Sequence, residues 1–354
     1  QKLLLKLDNY GIKGNVLKFI EGFLSGRRQR VVLGDCESEW VEVTSGVPQG
    51  SILGPLLFVI YINDLPECLE NPCIMYADDS KVFAKLDDVG SNGGLARDII
   101  QLNDWCNVRS MLLNCKKCKV MHKGKKNPEL SYIIGNDGTS LESTKAERDL
   151  GVIVTSNTSN SLQVQAAVSK ANKSLGRLRK SFTYFTKELF TILYTTFIRP
   201  HLEYASSVWN DLSKADVLRI EKVQQRATKL VMGLKAKSYE DRLKELNLTR
   251  LEERRKRGDL IQVFKLMRGL EDMDIRINMQ NRDSVDVPIG RRHDYQIIRE
   301  KFSSCKARQN FLINRTATLW NNLPKNVVEA PSLNSFKARL DNLMKLRSLV
   351  TIYN

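Results

Sequence analysis

The sequence predicts an α+β fold: a mixed part over residues 1–155, then a mostly helical remainder, divided into residues 156–270 and 271–354. Three observations predict it. Strand-like and helical periodicities alternate through the first part, and helical spacing alone takes over from Leu162. The stretch Ile74 to Phe83 places β-forming residues on both sides of Asp78-Asp79, as a short hairpin would. The charge of +16 is also uneven: residues 1–160 hold 19 Lys and Arg against 20 Asp and Glu, residues 161–270 hold 23 against 11, and residues 271–354 hold 14 against 9.

Taken in order, residues 1–9 and 15–24 read as helices, with Asn15 as a cap and Ser25-Gly26 as a stop. Gln29 to Leu33 and Trp40 to Val43 alternate as a strand pair around a polar loop at Gly34–Glu39. The Gly46–Gly50 stretch is then irregular, and Pro55 suits the first turn of a helix running to about Leu65. After the Asp-Asp hairpin, Leu95, Ile99, Leu102, Trp105 and Cys106 trace an amphipathic helix. Leu112 to Met121 returns as turn and strand, and short strands follow at Tyr132–Ile134 and Leu150–Val154. Beyond these, helices are expected at Leu162–Arg179, Glu188–Ile198, Ala215–Met232, Tyr239–Leu246 and Leu251–Arg268, with Gly269 as a stop. Residues 271–310 read as loop-rich, including Gly290-Arg291-Arg292-His293, and a last helix is expected at Leu333–Leu346.

Two ionised carboxylates side by side repel each other, so a turn that holds both suits a shared cation. Mg²⁺ is the natural candidate, because it takes one or two carboxylates together with substrate phosphates. Upstream, Ser45-Gly46-Val47-Pro48-Gln49-Gly50-Ser51-Ile52-Leu53-Gly54-Pro55-Leu56-Leu57-Phe58 leads to Tyr61-Ile62-Asn63-Asp64-Leu65 and then Tyr76-Ala77-Asp78-Asp79. Together these stretches resemble the reverse transcriptase of non-LTR, LINE-like retrotransposons of the jockey type. Arg199-Pro200-His201-Leu202-Glu203-Tyr204 also resembles the region after the polymerase core in such elements.

The resemblance implies a polymerase palm remnant, an antiparallel sheet with packed helices over 1–155, then a basic thumb-like region and a C-terminal region. It implies an RNA-directed DNA polymerase that adds dNTPs to a DNA primer 3′-hydroxyl on an RNA template, with two Mg²⁺ ions or Mn²⁺ in their place. Asp78 and Asp79 would hold the metal, Asp78 as the stronger ligand. Tyr76 would face the primer end or serve as a strand aromatic. Gly46, Pro48, Gln49, Gly50 and Ser51 would line the substrate side, with Gln49 and Gly50 nearest the template base. Lys117 occupies the last position of Asn-x-x-Lys and would lie near the pyrophosphate, or belong to a solvated lysine run. A further metal-binding aspartate belongs on an earlier strand; by the resemblance it precedes Gln1, and neither Asp8 nor Asp35 replaces it. The chain, which starts at Gln1 inside an apolar helical pattern, is therefore expected to be truncated at its N-terminus.

Lys170, Lys173, Arg177 and Lys180 recur at three- and four-residue spacing, on one side of a helix, and are the candidates for gripping a nucleic-acid backbone. Trp209 and Trp320 read as core aromatics. Seven cysteines without framework spacing suit a reducing compartment. Cys115-x-x-Cys118 with His122 lacks a fourth zinc ligand at suitable spacing, so buried or free thiols are the default and zinc stays open. The longest apolar run, Ile52 to Ile62, is too short to span a bilayer. The resemblance places the protein inside the cell, in nucleus and cytoplasm as a ribonucleoprotein. The rival class is a non-catalytic nucleic-acid-binding protein derived from such an element.

Overall fold

The computed structural model describes residues 1–86, 93–271, 293–302 and 305–350, with side chains to Lys345 at the C-terminal end. The α+β expectation holds, in two compact units, Gln1–Thr144 and Lys145–Asn354.

In the first unit, α1 (Lys2–Asn9) and α2 (Gly14–Leu24) turn their apolar faces onto α3 (Leu53–Ile62), and Leu7, Ile20 and Leu57 form the buried centre. Asn15 lies inside α2; the N-cap is Lys13, with no side-chain cap bond, so the expected asparagine cap is corrected. The polar loop at Gly34–Glu39 contains structure of its own. Strands β1 (Arg28–Gln29) and β4 (Val41–Glu42) pair antiparallel, and between them β2 (Val32–Leu33) pairs with β3 (Cys36–Glu37) around Gly34 at φ +59°. The hairpin β5 (Cys73–Tyr76) and β6 (Asp79–Val82) follows, then α4 (Gly93–Arg109). Ile99 of α4 packs with Tyr132 and Ile134 in a second small core. Strand β7 (Lys119–Val120) pairs parallel with β10 (Glu142–Ser143), and β8 (Ile133–Ile134) pairs with β9 (Thr139–Ser140).

One expectation is corrected in form. Where a single antiparallel sheet was expected, the described residues hold separate two-stranded ladders, with β7–β10 parallel. The strands are two to four residues long, and a strand that short bonds its hairpin neighbour through the turn but offers few groups to a third strand.

The second unit opens with the hairpin β11 (Ala146–Asp149) and β12 (Val152–Thr155), then α5 (Ser161–Ser181). The helix expected at Glu188–Ile198 runs on to Glu203 as α6 (Lys187–Leu193), a π-turn at Tyr194–Ile198 and α7 (Arg199–Glu203). Pro200 has no N–H to donate into the preceding turn, so the hydrogen-bond register widens just before it. Next come α8 (Lys214–Thr228), α9 (Tyr239–Glu245) and α10 (Leu251–Met267), with Gly269 at φ +61° as the stop. Ser213 and Ser238 cap α8 and α9 through their hydroxyls. Trp209 is fully buried in the core made by α5 to α9.

Part of the expected loop-rich segment, 272–292, lies outside the described residues. After it, α11 (Lys306–Gln309), α12 (Leu312–Asn321) and α13 (Lys325–Val328) precede α14 (Leu333–Val350). Helix α12 is absent from the sequence expectations, yet with α10 and α14 it builds a core around Trp320, Phe264 and Phe336, the last two stacked with ring centres 4.2 Å apart. No helix among the described residues is long and apolar enough to cross a membrane.

Candidate active site

The Asp-Asp hairpin forms as expected, with one refinement in register. Tyr76 pairs with Asp79, so the two turn residues are Ala77 and Asp78, and Asp79 is the first residue of β6. Residues directly opposite on a ladder share a face, which sets the Asp79 carboxylate beside the Tyr76 ring and leaves Asp78 at the tip. Tyr76, Asp78 and Asp79 are all exposed. Ala77 is held at φ +50°, where an alanine side chain crowds its own carbonyl and costs about 1–2 kcal/mol. Glycine or asparagine would be the relaxed choice there, and strain of this kind collects at functional turns.

The glycine loop is built to be rigid. Gly46 and Gly50 sit at φ +76° and +79°. At one end, the Arg27 guanidinium donates to the Gly46 carbonyl at 2.6 Å and to the Ser45 carbonyl at 3.2 Å. At the other, the Ser51 hydroxyl donates to the Pro48 carbonyl at 2.7 Å and accepts from the Gly54 N–H at 2.9 Å. Ser51 thereby closes the loop and satisfies one of the free amides at the start of α3. Val47 packs into the first core. Gly46, Gln49 and Gly50 are exposed, and of these Gly46 is held through its carbonyl by Arg27. Of the five loop candidates, Ser51 and Pro48 thus have internal duties, and Gln49 and Gly50 are free to meet a ligand.

Lys117 ends a single 3₁₀ turn, Cys115–Lys117, and its side chain is exposed. Asp64 has a different role. Its carboxylate lies 2.7 Å from the Lys6 ammonium and also binds the Arg109 guanidinium, while Lys6 donates to the Tyr61 carbonyl at 2.9 Å. Burial pushes the Asp64 carboxyl upward, but the hydrogen bond and charge of Lys6, with the charge of Arg109, outweigh it and leave the pKa below the ordinary value. This triad ties α1, the end of α3 and the end of α4 together. Sequence reading missed it, because only the fold brings Lys6, Asp64 and Arg109 together.

Hard oxygen donors on an open turn suit Mg²⁺, which needs only one or two protein carboxylates when phosphates complete its shell. The Asp78-Asp79 pair fits that requirement. Among the described residues no group of three or more His, Cys, Asp or Glu side chains converges on a metal position. Cys115 and Cys118 pack with Ile99, Tyr132 and Ile134, and His122 stacks on Tyr132 with ring centres 6.4 Å apart.

In the second unit, Lys170, Lys173, Arg177 and Lys180 are all exposed along α5, with no ion pair to any of them among the described residues. Other basic residues of that region are structural. Arg255 is buried, donates to the Leu202 carbonyl at 2.8 Å and lies 3.9 Å over the Trp209 ring. Arg242 is buried against Thr228 and the Lys237 carbonyl. The Arg199–Tyr204 stretch is a packing hub: Glu203 pairs with Arg254 and Arg199, and the Tyr204 hydroxyl donates to the Leu150 carbonyl at 2.9 Å.

Residues 1–160 match the sequence model of the family described as reverse transcriptase (RNA-dependent DNA polymerase). Among curated proteins, the chain is 22% identical over 231 residues to a Drosophila melanogaster protein named "Probable RNA-directed DNA polymerase from transposon X-element", covering 60% of this chain and 24% of that protein. It is 24% identical over 234 residues to the RNA-directed DNA polymerase from mobile element jockey of Drosophila funebris, covering 62% of this chain and 25% of the relative. The chain therefore spans about a quarter of the length of these two relatives. Its first 160 residues are thus similar to reverse transcriptases, and the two relatives are named as RNA-directed DNA polymerases of mobile elements.

Proposed function

From that kinship we propose that this chain carries the active-site segment of an RNA-directed DNA polymerase of a LINE-like element, which extends a DNA primer on an RNA template with dNTPs. One observation carries the reading: within the family-matched residues, a strained and exposed two-residue turn presents Asp78, with Asp79 beside it at the start of β6. Asp78 and Asp79 would hold the divalent ions, which would supply Lewis acidity toward the primer hydroxyl and positive charge toward the triphosphate and pyrophosphate. Tyr76, on the same face as Asp79, supports the primer terminus. Gln49 and Gly50, displayed by the clamped loop, meet the template base and incoming nucleotide. Lys117 supplies positive charge toward the pyrophosphate and can give up its proton to it. In this assignment residues 1–155 supply palm, 156–270 a thumb-like clamp in which Lys170, Lys173, Arg177 and Lys180 grip the hybrid, and 271–354 a C-terminal region. The working form is a ribonucleoprotein in nucleus and cytoplasm.

The test is primer extension on poly(A)–oligo(dT) with Mg²⁺, comparing the chain with Asp78→Asn. Template-dependent synthesis is expected, falling at least about a hundredfold in the variant, the scale on which loss of one preorganised electrostatic group appears in kcat. Equal synthesis by the two proteins, or hybrid binding with no synthesis by either, overturns the proposal.

A further inference from the structure

The Asp78 turn stands on a root, the bend at Glu70 and Asn71 that leads into β5. Strands β5 and β6 pair with each other and with no third strand among the described residues, and none of their residues is fully buried. The ladder continues one step past the strands, where the Phe83 N–H donates to the Pro72 carbonyl at 3.0 Å. With so little packed around the strands, the chain just before Pro72 sets the direction in which the hairpin points.

That bend is held by α4. Gly94, Arg97 and Asp98 fall at i, i+3 and i+4, on one face of the helix. The Asp98 carboxylate is 1% exposed; one oxygen accepts the Glu70 N–H at 2.7 Å and the other accepts the Asn71 carboxamide N–H at 2.7 Å. Burying a carboxylate is costly unless it is well bonded, and these bonds go to the root of the hairpin, not to the helix that carries the residue. Arg97 adds a forked pair to the Glu70 carboxylate, both bonds 2.7 Å, at the surface. A Cβ at residue 94 would lie 3.0 Å from the Asn71 Nδ2, so the glycine leaves room for the carboxamide that Asp98 binds.

The lever is long. Asn71 to Tyr76 is five steps of chain, about 17 Å when extended. A tilt of about 3° at the root therefore carries the far end by about 1 Å, and a misplacement of that size can cost about a hundredfold in rate.

We infer that Asp98 is a positioning residue for the Asp78-Asp79 turn: by fixing Glu70 and Asn71 it aims the β5–β6 hairpin and the carboxylates at its tip. The inference rests on the polymerase reading for the purpose of the turn, and it adds a residue that touches neither metal nor substrate. Outer partners that orient metal-binding groups act in this way, and losing one costs about 10- to 100-fold in metal affinity.

The experiment reads hydrogen exchange of residues 72–83 in the full chain without metal, and then Tb³⁺ binding through luminescence sensitised by Tyr76. Asp98→Ala is expected to speed exchange over 72–83 by about tenfold or more, because two hydrogen bonds to a carboxylate are lost. It is expected to weaken Tb³⁺ binding by about 10- to 100-fold. Residues 2–24 and 161–181 should exchange as in the unaltered chain. Asp98→Asn should restore both readouts, since its Oδ1 can accept the Glu70 N–H and the Asn71 carboxamide can turn over to accept from its Nδ2. Asn71→Ala, which leaves the carboxylate in place, should show the same two effects more weakly. Asp104→Asn, on the exposed side of α4, should show neither. If Asp98→Ala also loosens residues 2–24, Asn71→Ala decides. The inference is overturned by unchanged exchange over 72–83 in the deciding alanine variant, by unchanged Tb³⁺ affinity there, or by Asp98→Asn as damaging as Asp98→Ala. Because neither readout measures synthesis, the two readings fail separately. A chain that extends primers while its hairpin ignores Asp98 refutes only the anchor. One whose hairpin loosens without Asp98 but that extends no primer refutes only the polymerase.

Discussion

Gly54→Ala sets two effects of opposite sign against each other. Helix propensity alone predicts stabilisation, since alanine in place of glycine in a helix gains about 0.5–1 kcal/mol. The structure predicts the reverse. A Cβ at residue 54 would lie 2.6 Å from the Pro48 carbonyl oxygen and 2.8 Å from the Ser51 hydroxyl oxygen. Neither atom can step aside cheaply, because the Ser51 hydroxyl bonds the Pro48 carbonyl and the Gly54 N–H, and Val47 anchors the loop in the core. Overpacking of this kind costs about 1–3 kcal/mol, so the net change is a loss of up to about 2.5 kcal/mol. Primer extension should fall with it, since Gln49 and Gly50 ride on the displaced loop. Gly22→Ala is the control: it lies within α2, a Cβ there meets nothing within 4 Å, and it should stabilise by about 0.5–1 kcal/mol. Hydrogen exchange of peptides from residues 1–62 in a urea series reads this unit separately from the second. If Gly54→Ala protects α3 as Gly22→Ala protects α2, the clamped-loop account is wrong.

Three other outcomes are expected. Asp259 receives Arg315 through two bonds of 2.8 and 2.9 Å and Asn210 at 2.7 Å, with only 4% of its side chain exposed, so Asp259→Ala should cost about 3–5 kcal/mol in urea unfolding of the α10–α12 region; a loss under about 1 kcal/mol counts against a committed pair. Asp64 has a folded pKa below its unfolded value, so its contribution is present above about pH 4 and disappears as pH falls through the folded value. Asp64→Asn should flatten that acid limb of stability, and an unaltered limb would show the triad to be irrelevant. Burial pushes the Cys106 thiol up to about 11, so its iodoacetamide labelling at pH 8 should lag far behind that of exposed Cys36 and Cys305. Stability tied to that thiol is whole below about pH 8.5 and declines as pH rises toward the folded value; labelling of Cys106 as fast as Cys36 would contradict its burial.

Much of the local structure was legible. The hairpin at Asp78-Asp79, the helices α5, α8, α9 and α10 and the irregular glycine loop follow from side-chain periodicity and turn chemistry, which act over a few residues. The misses are of another kind. The β2–β3 hairpin hides in a polar stretch, because two-residue strands carry too little pattern to detect. Helix α12 is obscured by its mixed face, Asn314, Arg315 and Thr316 among Leu312, Ile313 and Trp320. Its polar residues are held by tertiary bonds such as Arg315 to the Asp259 carboxylate.

By itself the sequence determined the resemblance to reverse transcriptases, the adjacent carboxylates at a turn, and the confinement of the net positive charge to residues after 160. Each is a property of neighbours along the chain. The tertiary structure alone decided which of those charges are available. Arg242, Arg255 and Arg315 are turned inward to buried carbonyls and carboxylates, whereas the cations of α5 and α8 are left to solvent. It also decided that Ser51 serves its own loop and Asp64 its own helices. The physical reason is that burial and pairing depend on groups far apart in sequence: Arg315 meets Asp259 across 56 residues, and no local pattern records such a meeting.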